Sequence, residues 1–288
     1  NLSSTGWKKN YTLTHREKIL LLDHEHLISL TRQCELLDMS RASVYYQPTI
    51  DEKDIRAMSL IDKIFTDYPF YGSRRIRYEL GQTYHLSIAR DHVRRLLRIM
   101  GIEAIYPKSK PNTSEPHPQH RTYPYLLRGL SINRPNQIWG ADITYVKLEN
   151  GWAYLIAFID WFSRYVIAWE LSPTLEINFC LTALERALKT AVPEISNSDQ
   201  GSHFTSTQFL EPLLQKNVQI SMDGRGRCMD NIFTERLWRT VKYENIFLKS
   251  YRTIGEATAG LNDYFQFYNT RRPHQSLDYR TPSTVYFH

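Results

Sequence analysis

Cysteine is scarce in this chain of 288 residues, which holds only Cys34, Cys180 and Cys228, far apart in sequence. No CxxC pair or ladder of half-cystines exists, so neither a disulfide framework nor a thiolate zinc site is expected. A reducing compartment suits that usage. The ten histidines are scattered, His24 and His26 being the closest pair, and without neighbouring cysteine they read as surface groups. No apolar run reaches the roughly 18 residues that a membrane span needs. The stretch Asn1-Leu2-Ser3-Ser4-Thr5-Gly6 lacks the basic and apolar regions of a secretory leader, so a cytoplasmic location is expected. The first residue is Asn and not Met, as in a fragment or a processed product. No backbone motif for nucleoside triphosphates occurs.

The composition present is 42% hydrophobic with 13% aromatics, ample for a sizeable core in one large domain or two smaller ones. The net charge is +6 with a pI near 9.1. Residues 1–132 carry 20 Lys and Arg against 14 Asp and Glu, whereas residues 133–288 carry 16 of each. The excess therefore lies in the first half, which reads as a polyanion-binding module joined to a charge-balanced one.

Residues 14–47 read as helical, with Thr14 and Glu17 as a capping box. The stretch from Leu27 to Tyr46 looks like a helix, a short turn and a second helix capped by Ser40. It reads either as a helix-turn-helix or as an ordinary helical hairpin. A second helical unit covers 51–101. One helix starts at Tyr71-Gly72-Ser73-Arg74-Arg75-Ile76-Arg77 with Ser73 as cap, and another carries Asp91-His92-Val93-Arg94-Arg95-Leu96-Leu97-Arg98. Ile76, Leu80, Val93, Leu96 and Leu97 recur at helical spacing and leave the arginines on a solvated face. Seven arginines against Glu79 and Asp91 favour phosphate contact, with Arg74, Arg75, Arg77, Arg94, Arg95 and Arg98 as the candidates.

Pro107, Pro111, Pro116, Pro118 and Pro124 mark a linker, and a domain boundary is placed there. The expected division is 1–50, 51–106, a linker over 107–130, a core over 131–252 and a closing helix over 253–288. Beyond the linker the pattern turns to strands: Trp139–Lys147, an Asn150-Gly151 turn, Trp152–Asp160, and Arg164–Leu171. An amphipathic helix follows over Leu175–Thr190, with Leu181, Leu184, Ala187 and Leu188 as its inner stripe. Strand Val192–Ser198, helix Ser206–Lys216, strand Val218–Met222 and a helix from about Asn231 to Phe247 complete the series. The order β-β-β-α-β-α-β-α is that of a ribonuclease-H-like core, an α/β fold with a mixed five-stranded sheet and flanking helices, here preceded by small all-helical units.

Asp142 stands in the middle of the first strand, among β-branched and aromatic residues where a carboxylate is costly unless paired or holding a cation. Asp199 falls where a strand ends, and Glu235 in the first turn of a helix capped by Asn231. Together they could hold two divalent cations and catalyse displacement at a phosphodiester. Hard oxygen donors favour Mg²⁺ or Mn²⁺ over zinc. Each residue also has a plainer reading, as an edge carboxylate, a turn residue or a helix-dipole partner. Asp160 competes with Asp142, since the hairpin about Asn150 brings the two close and could put them on one face. Glu244, nine residues beyond Glu235, points elsewhere on a 3.6-residue period. Arg239 and Lys242 share a face with Glu235 and could grip phosphate or simply neutralise it. The aromatic series Trp152, Tyr154, Phe158, Trp161 and Trp169 reads as core.

Trp139-x-x-Asp142-x-Thr144, Ser198-Asp199-x-Gly201-Ser202 and Asp230-Asn231-x-x-x-Glu235-Arg236-x-Trp238 resemble the DDE motifs of the IS-three family of bacterial insertion-sequence transposases. Asp199 and Glu235 show that family's DD(35)E spacing, shared with retroviral integrases, which selects Asp142 over Asp160. The stretch Tyr268-Asn269-Thr270-Arg271-Arg272-Pro273-His274-Gln275-Ser276-Leu277 is similar to its closing motif, and Tyr71-Gly72-x-Arg74-Arg75-Ile76 to its helix-turn-helix segment. The resemblance implies a DDE polynucleotidyl transferase with two Mg²⁺ (or Mn²⁺) ions held by Asp142, Asp199 and Glu235. It implies 3′-end cleavage and strand transfer through a donor circle. The implied partners are the double-stranded DNA of terminal inverted repeats and a target, with a homodimer or higher oligomer on paired ends, at the nucleoid. Arg271 and Arg272 join the expected DNA contacts. The family usually carries an upstream helix-turn-helix and leucine-zipper segment, and no sustained heptad occurs in this chain. Two alternatives are a DNA-binding protein with an inactive core and a hydrolytic nuclease.

Overall fold

A computed structural model describes residues 15–23, 27–45, 51–105, 123–223 and 232–288. The expected caps Thr14 and Asn231 and most of the proline-rich linker lie outside the described residues. Two compact units divide the chain, Asn1–Ala57 and Met58–His288.

In the first unit, α1 spans His15–Leu20, α2 Leu30–Leu36 and α3 Ala42–Tyr45. Ser29 caps α2 by accepting from the Arg32 amide at 3.4 Å, and Cys34 is its buried residue. Within the described residues the second helix of the expected pair covers one turn. Helix α4, Glu52–Asp67, runs across the division between the units.

In the second unit, α5 spans Ser73–Gln82 and α6 Arg90–Ile99. Gly72 is the N-cap of α5, so Ser73 is its first helical residue rather than the cap. Ile76, Leu80, Val93 and Leu96 are fully buried, as their spacing predicts.

The sheet follows: β1 Ile138–Leu148, β2 Gly151–Asp160 and β3 Val166–Ser172. After α7, Ile177–Thr190, come β4 Ile195–Ser198, α8 Thr207–Gln215 and β5 Gln219–Met222. The strand order is β3-β2-β1-β4-β5, with β1, β2 and β3 antiparallel and β1, β4 and β5 parallel. This is the expected mixed sheet, and every strand lies within three residues of its expected bounds. Isoleucine, threonine, tyrosine and valine suit β1. Gly151, at φ 119°, closes the hairpin to β2. The run Leu155–Asp160 is buried throughout, as a strand covered on both faces requires.

Helix α7 packs through Phe179, Cys180, Ala183, Leu184 and Ala187. Its buried stripe is thus turned from the expected one, and Leu181 and Leu188 flank it half-buried. Trp152 is corrected from core to surface: it is 57% exposed and meets the rim aromatic Tyr145 edge to face at 6.4 Å.

Helix α9, Ile232–Val241, continues through a π turn over Lys242–Ile246 into α10, Phe247–Lys249. Then come α11, Ile254–Thr270, and α12, Pro282–Phe287. Among the described residues no helix is long and apolar enough to cross a membrane.

Candidate active site

The sheet register assembles the site. Gly140 of β1 pairs with Asn197 of β4, and Ser198 of β4 pairs with Met222 of β5. Continuing those parallel registers sets Asp142 beside Asp199, and Asp199 beside Asp223, in one row at the edge where β4 and β5 end. Strands lie about 4.8 Å apart, so the carboxyls repel one another. The Asp142 carboxyl is pushed up to about 7, first by burial and then by the charge of Asp199, with Asp223 adding to it. Asp199 is also raised, by burial, against an opposing hydrogen bond from the Gly201 amide at 2.9 Å.

Asp142 is held on both oxygens. Its Oδ1 accepts from the Ile143 amide at 2.8 Å, and its Oδ2 from the Trp238 indole N–H at 3.0 Å. Trp238 belongs to α9, one turn after Glu235. Glu235 itself is exposed, and the partial loss of water around its carboxyl raises it. Helix α9 comes this close because Gly140 has no side chain. A Cβ there would collide with the Trp161 indole and lie 2.7 Å from Thr234 Oγ1. Phe233 anchors the start of α9, packing on Trp161 at 5.0 Å and under the Arg164 guanidinium at 3.6 Å. Gly140→Ala is therefore expected to lower the free energy of unfolding by about 1–3 kcal/mol, the usual range for overpacking. A shift in the urea midpoint checks it.

The structure brings Asp142 and Asp199 together, and it does not gather Glu235 with them. Among the described residues no three acidic, histidine or cysteine side chains are close enough to cage a metal ion. Lys242 is half-buried beside the pair: burial lowers its ammonium while the Asp142 charge raises it. Arg239 is exposed on the same helix.

The remaining candidates divide by burial. Arg74, Arg77, Arg94, Arg95, Arg98 and Arg271 are exposed. Arg94 pairs with Asp91 at 3.3 Å, and Arg271 lies over the Phe267 ring. Arg75 is half-buried and reaches Glu244 Oε1 at 3.1 Å. Arg272 is corrected as a surface phosphate contact. It is 5% exposed, and its fork closes on Glu244 with Nε at 2.7 Å and Nη2 at 2.6 Å.

Both competing acids have structural employment. Asp160 pairs with Trp139, three residues from Asp142, so the two carboxylates lie on opposite faces of the sheet. It accepts from the Ser163 amide at 2.7 Å and the Asn136 amide at 2.8 Å, tying down the turn that follows. Asp223 is the acid that the sequence reading passed over. It is the first residue after β5, as Asp199 is after β4, and it accepts from Asn197 Nδ2 at 2.8 Å.

Residues 132–228 and 216–282 match two integrase core domain families, and residues 51–110 match an HTH-like domain family. The transposase for insertion sequence element IS904 of Lactococcus lactis subsp. lactis (strain IL1403) is 30% identical over 228 residues, 74% of this chain and 85% of that protein. The transposase for insertion sequence element IS629 of Shigella sonnei is 28% identical over 226 residues, 77% of this chain and 76% of that protein. The HTLV-2 integrase catalytic core domain in complex with magnesium (dimeric form) is 20% identical, covering 53% of this chain and 97% of that one, with a TM-score of 0.44. With a five-stranded sheet of this order and relatives of this length, the chain belongs to the IS-three type of insertion-sequence transposases, DNA transposases with an integrase core.

Proposed function

We propose that Asp142, Asp199 and Glu235 are the catalytic carboxylates of this transposase and that they take up Mg²⁺ or Mn²⁺, two ions to a site. The observation that carries the reading is the strand register that sets Asp142 beside Asp199, with the Asp142 carboxyl raised by burial and by the charge of its neighbour. Two crowded carboxylates with oxygen-only donors are suited to a hard divalent cation, whose charge relieves their repulsion. Such ions, when bound, would acidify an attacking water or 3′-hydroxyl and stabilise the departing 3′ oxygen.

The chain's own residues hold the reactants. Trp238 fixes the rotamer of Asp142 through its indole hydrogen bond, so the carboxylate is oriented before DNA arrives. Lys242, already in the field of Asp142, and Arg239, three residues earlier, take the phosphates flanking the scissile bond. Glu235 completes the set from the exposed first turn of α9. The exposed Arg94, Arg95 and Arg98 of α6 follow the backbone of the duplex, and several copies of the chain assemble on paired terminal repeats and a target.

The test is a joining assay with Mg²⁺, a plasmid target and a DNA end labelled at the 5′ terminus of the strand whose 3′ end is cleaved and joined. Label appearing in the plasmid, and lost on chelation with EDTA, is the expected result. Shortened label without joining would make the protein a hydrolytic nuclease. Retained DNA binding with neither product would make the core inactive.

A further inference from the structure

A recess of about 300 Å³ opens between α5, the residues leading into α6, and the turn that precedes α12. Arg74, Arg77 and Arg90 line it with Tyr78, Ser87 and Tyr279, and no aspartate or glutamate does among the described residues. Three guanidinium groups around one small hollow repel one another unless an anion lies between them. Two of them are held by hydrogen bonds. Arg77 Nε donates to the Ile88 carbonyl at 3.2 Å, and Arg74 Nη1 to Gln275 Oε1 at 3.3 Å.

The other wall is unusual in its backbone. Asp278 and Tyr279 are consecutive non-glycine residues at φ 53° and 63°, a conformation that side chains disfavour. The strain is held by the Tyr279 amide donating to the His274 carbonyl at 2.8 Å, and it presents the Tyr279 ring to Tyr78, stacked at 5.0 Å and 14°. An aromatic platform beside a ring of arginines is the surface that a nucleic-acid strand uses, with phosphate on the cations and sugar or base on the rings.

We propose that this recess seats one phosphate of a DNA strand, held by Arg77 and Arg90, with Tyr279 of the closing segment forming its wall. The basic helices and the end of the chain then grip the same strand. The proposal rests on the reading of the protein as acting on DNA.

The experiment is the salt dependence of binding to a fluorescein-labelled duplex of mixed sequence, followed by anisotropy on the full chain. Each phosphate neutralised contributes about 0.9 to the slope of log Kobs against log salt. The double variant Arg77→Gln with Arg90→Gln is expected to lower that slope by about 1. Tyr279→Ala is expected to weaken binding with the slope unchanged. Both arginines are exposed, and an unaltered thermal unfolding curve checks that the variant folds. Free phosphate is tested separately, by ³¹P line broadening of inorganic phosphate without DNA. Broadening lost in the double variant, with the DNA slope unaltered, would overturn the DNA assignment in favour of a free anion. An unaltered slope without such broadening would overturn the seat altogether. Either failure, with Asp142-dependent cleavage intact, removes only the seat, whereas absence of metal-dependent cleavage in the unaltered protein removes the catalytic reading.

Discussion

Asp142→Asn is expected to lower metal-dependent cleavage of a DNA end by about a thousandfold, or ~4 kcal/mol of barrier, while making the metal-free protein more stable. The two effects share one cause. The Asp142 carboxyl titrates near 7 in the folded chain, first because it is buried and then because Asp199 faces it, against an ordinary value of 3.8. Between those two values the folded state binds a proton that the unfolded state has released. Stability therefore falls as pH rises through that window and levels off above it. At 1.36 kcal/mol per pK unit, the ionised carboxylate costs on the order of 4 kcal/mol at pH 8. Asparagine carries no charge, and its one oxygen keeps one of the two hydrogen bonds, from Trp238 or from the Ile143 amide. Urea unfolding in EDTA is expected to show a wide gap between variant and parent at pH 8 and a narrower one at pH 5. A gap independent of pH would sink the burial account, and cleavage close to the parent rate would remove Asp142 from the chemistry.

The sheet was legible because period-two alternation and continuous apolar runs report burial directly, and burial decides strands. Asp142 and Asp199 stood out as candidates through their places in and just after strands, and the resemblance chose Asp142 over Asp160. Their adjacency was not legible, because it depends on a β1–β4 register that no local pattern encodes. Asp223 escaped for the same reason, since a residue opening a Gly-Arg loop reads as a turn until β5 is laid beside β4. Trp152 was misread because hydrophobicity alone does not separate a core aromatic from one on a hairpin rim. Arg272 was misread because an arginine's partner can lie far away in sequence. Glu244 sits 28 residues back, on a π turn where the 3.6-residue period used to place it no longer holds.

Glu244→Gln is the substitution expected to cost the most stability, about 3–5 kcal/mol, because it strands a buried guanidinium. Glu244 accepts from Arg272 twice, from Arg75 at 3.1 Å and from the Tyr264 hydroxyl at 2.9 Å. Arg272 Nη1 lies 3.0 Å from His274 Nε2. Burial first, and Arg272 next, push that imidazole down to about 2, so it stays neutral and can accept from the arginine. Without Glu244 the Arg272 charge keeps the neutral His274 and the Tyr268 ring, and no anion among the described residues. At about 2–4 °C per kcal/mol for a chain of this size, the melting temperature should fall by roughly 10 °C. Arg75→Ala, removing a half-exposed arm of the same cluster, should cost about 1 kcal/mol or less. Replacing Glu244 and Arg272 together by methionine should recover most of the loss, since the charge left without Glu244, on Arg75, is partly exposed to water. The pH dependence has the opposite sign to that of Asp142. Burial alone would raise the Glu244 carboxyl, yet Arg272 and Arg75 hold it below the ordinary carboxylate value. Its stabilisation is thus complete above the unfolded value and is lost as pH falls through the folded one. Parent and Glu244→Gln melting curves should converge on acidification below pH ~4. Curves that stay equally far apart down to the lowest pH at which the parent folds would mean that packing, and not charge, holds the cluster together.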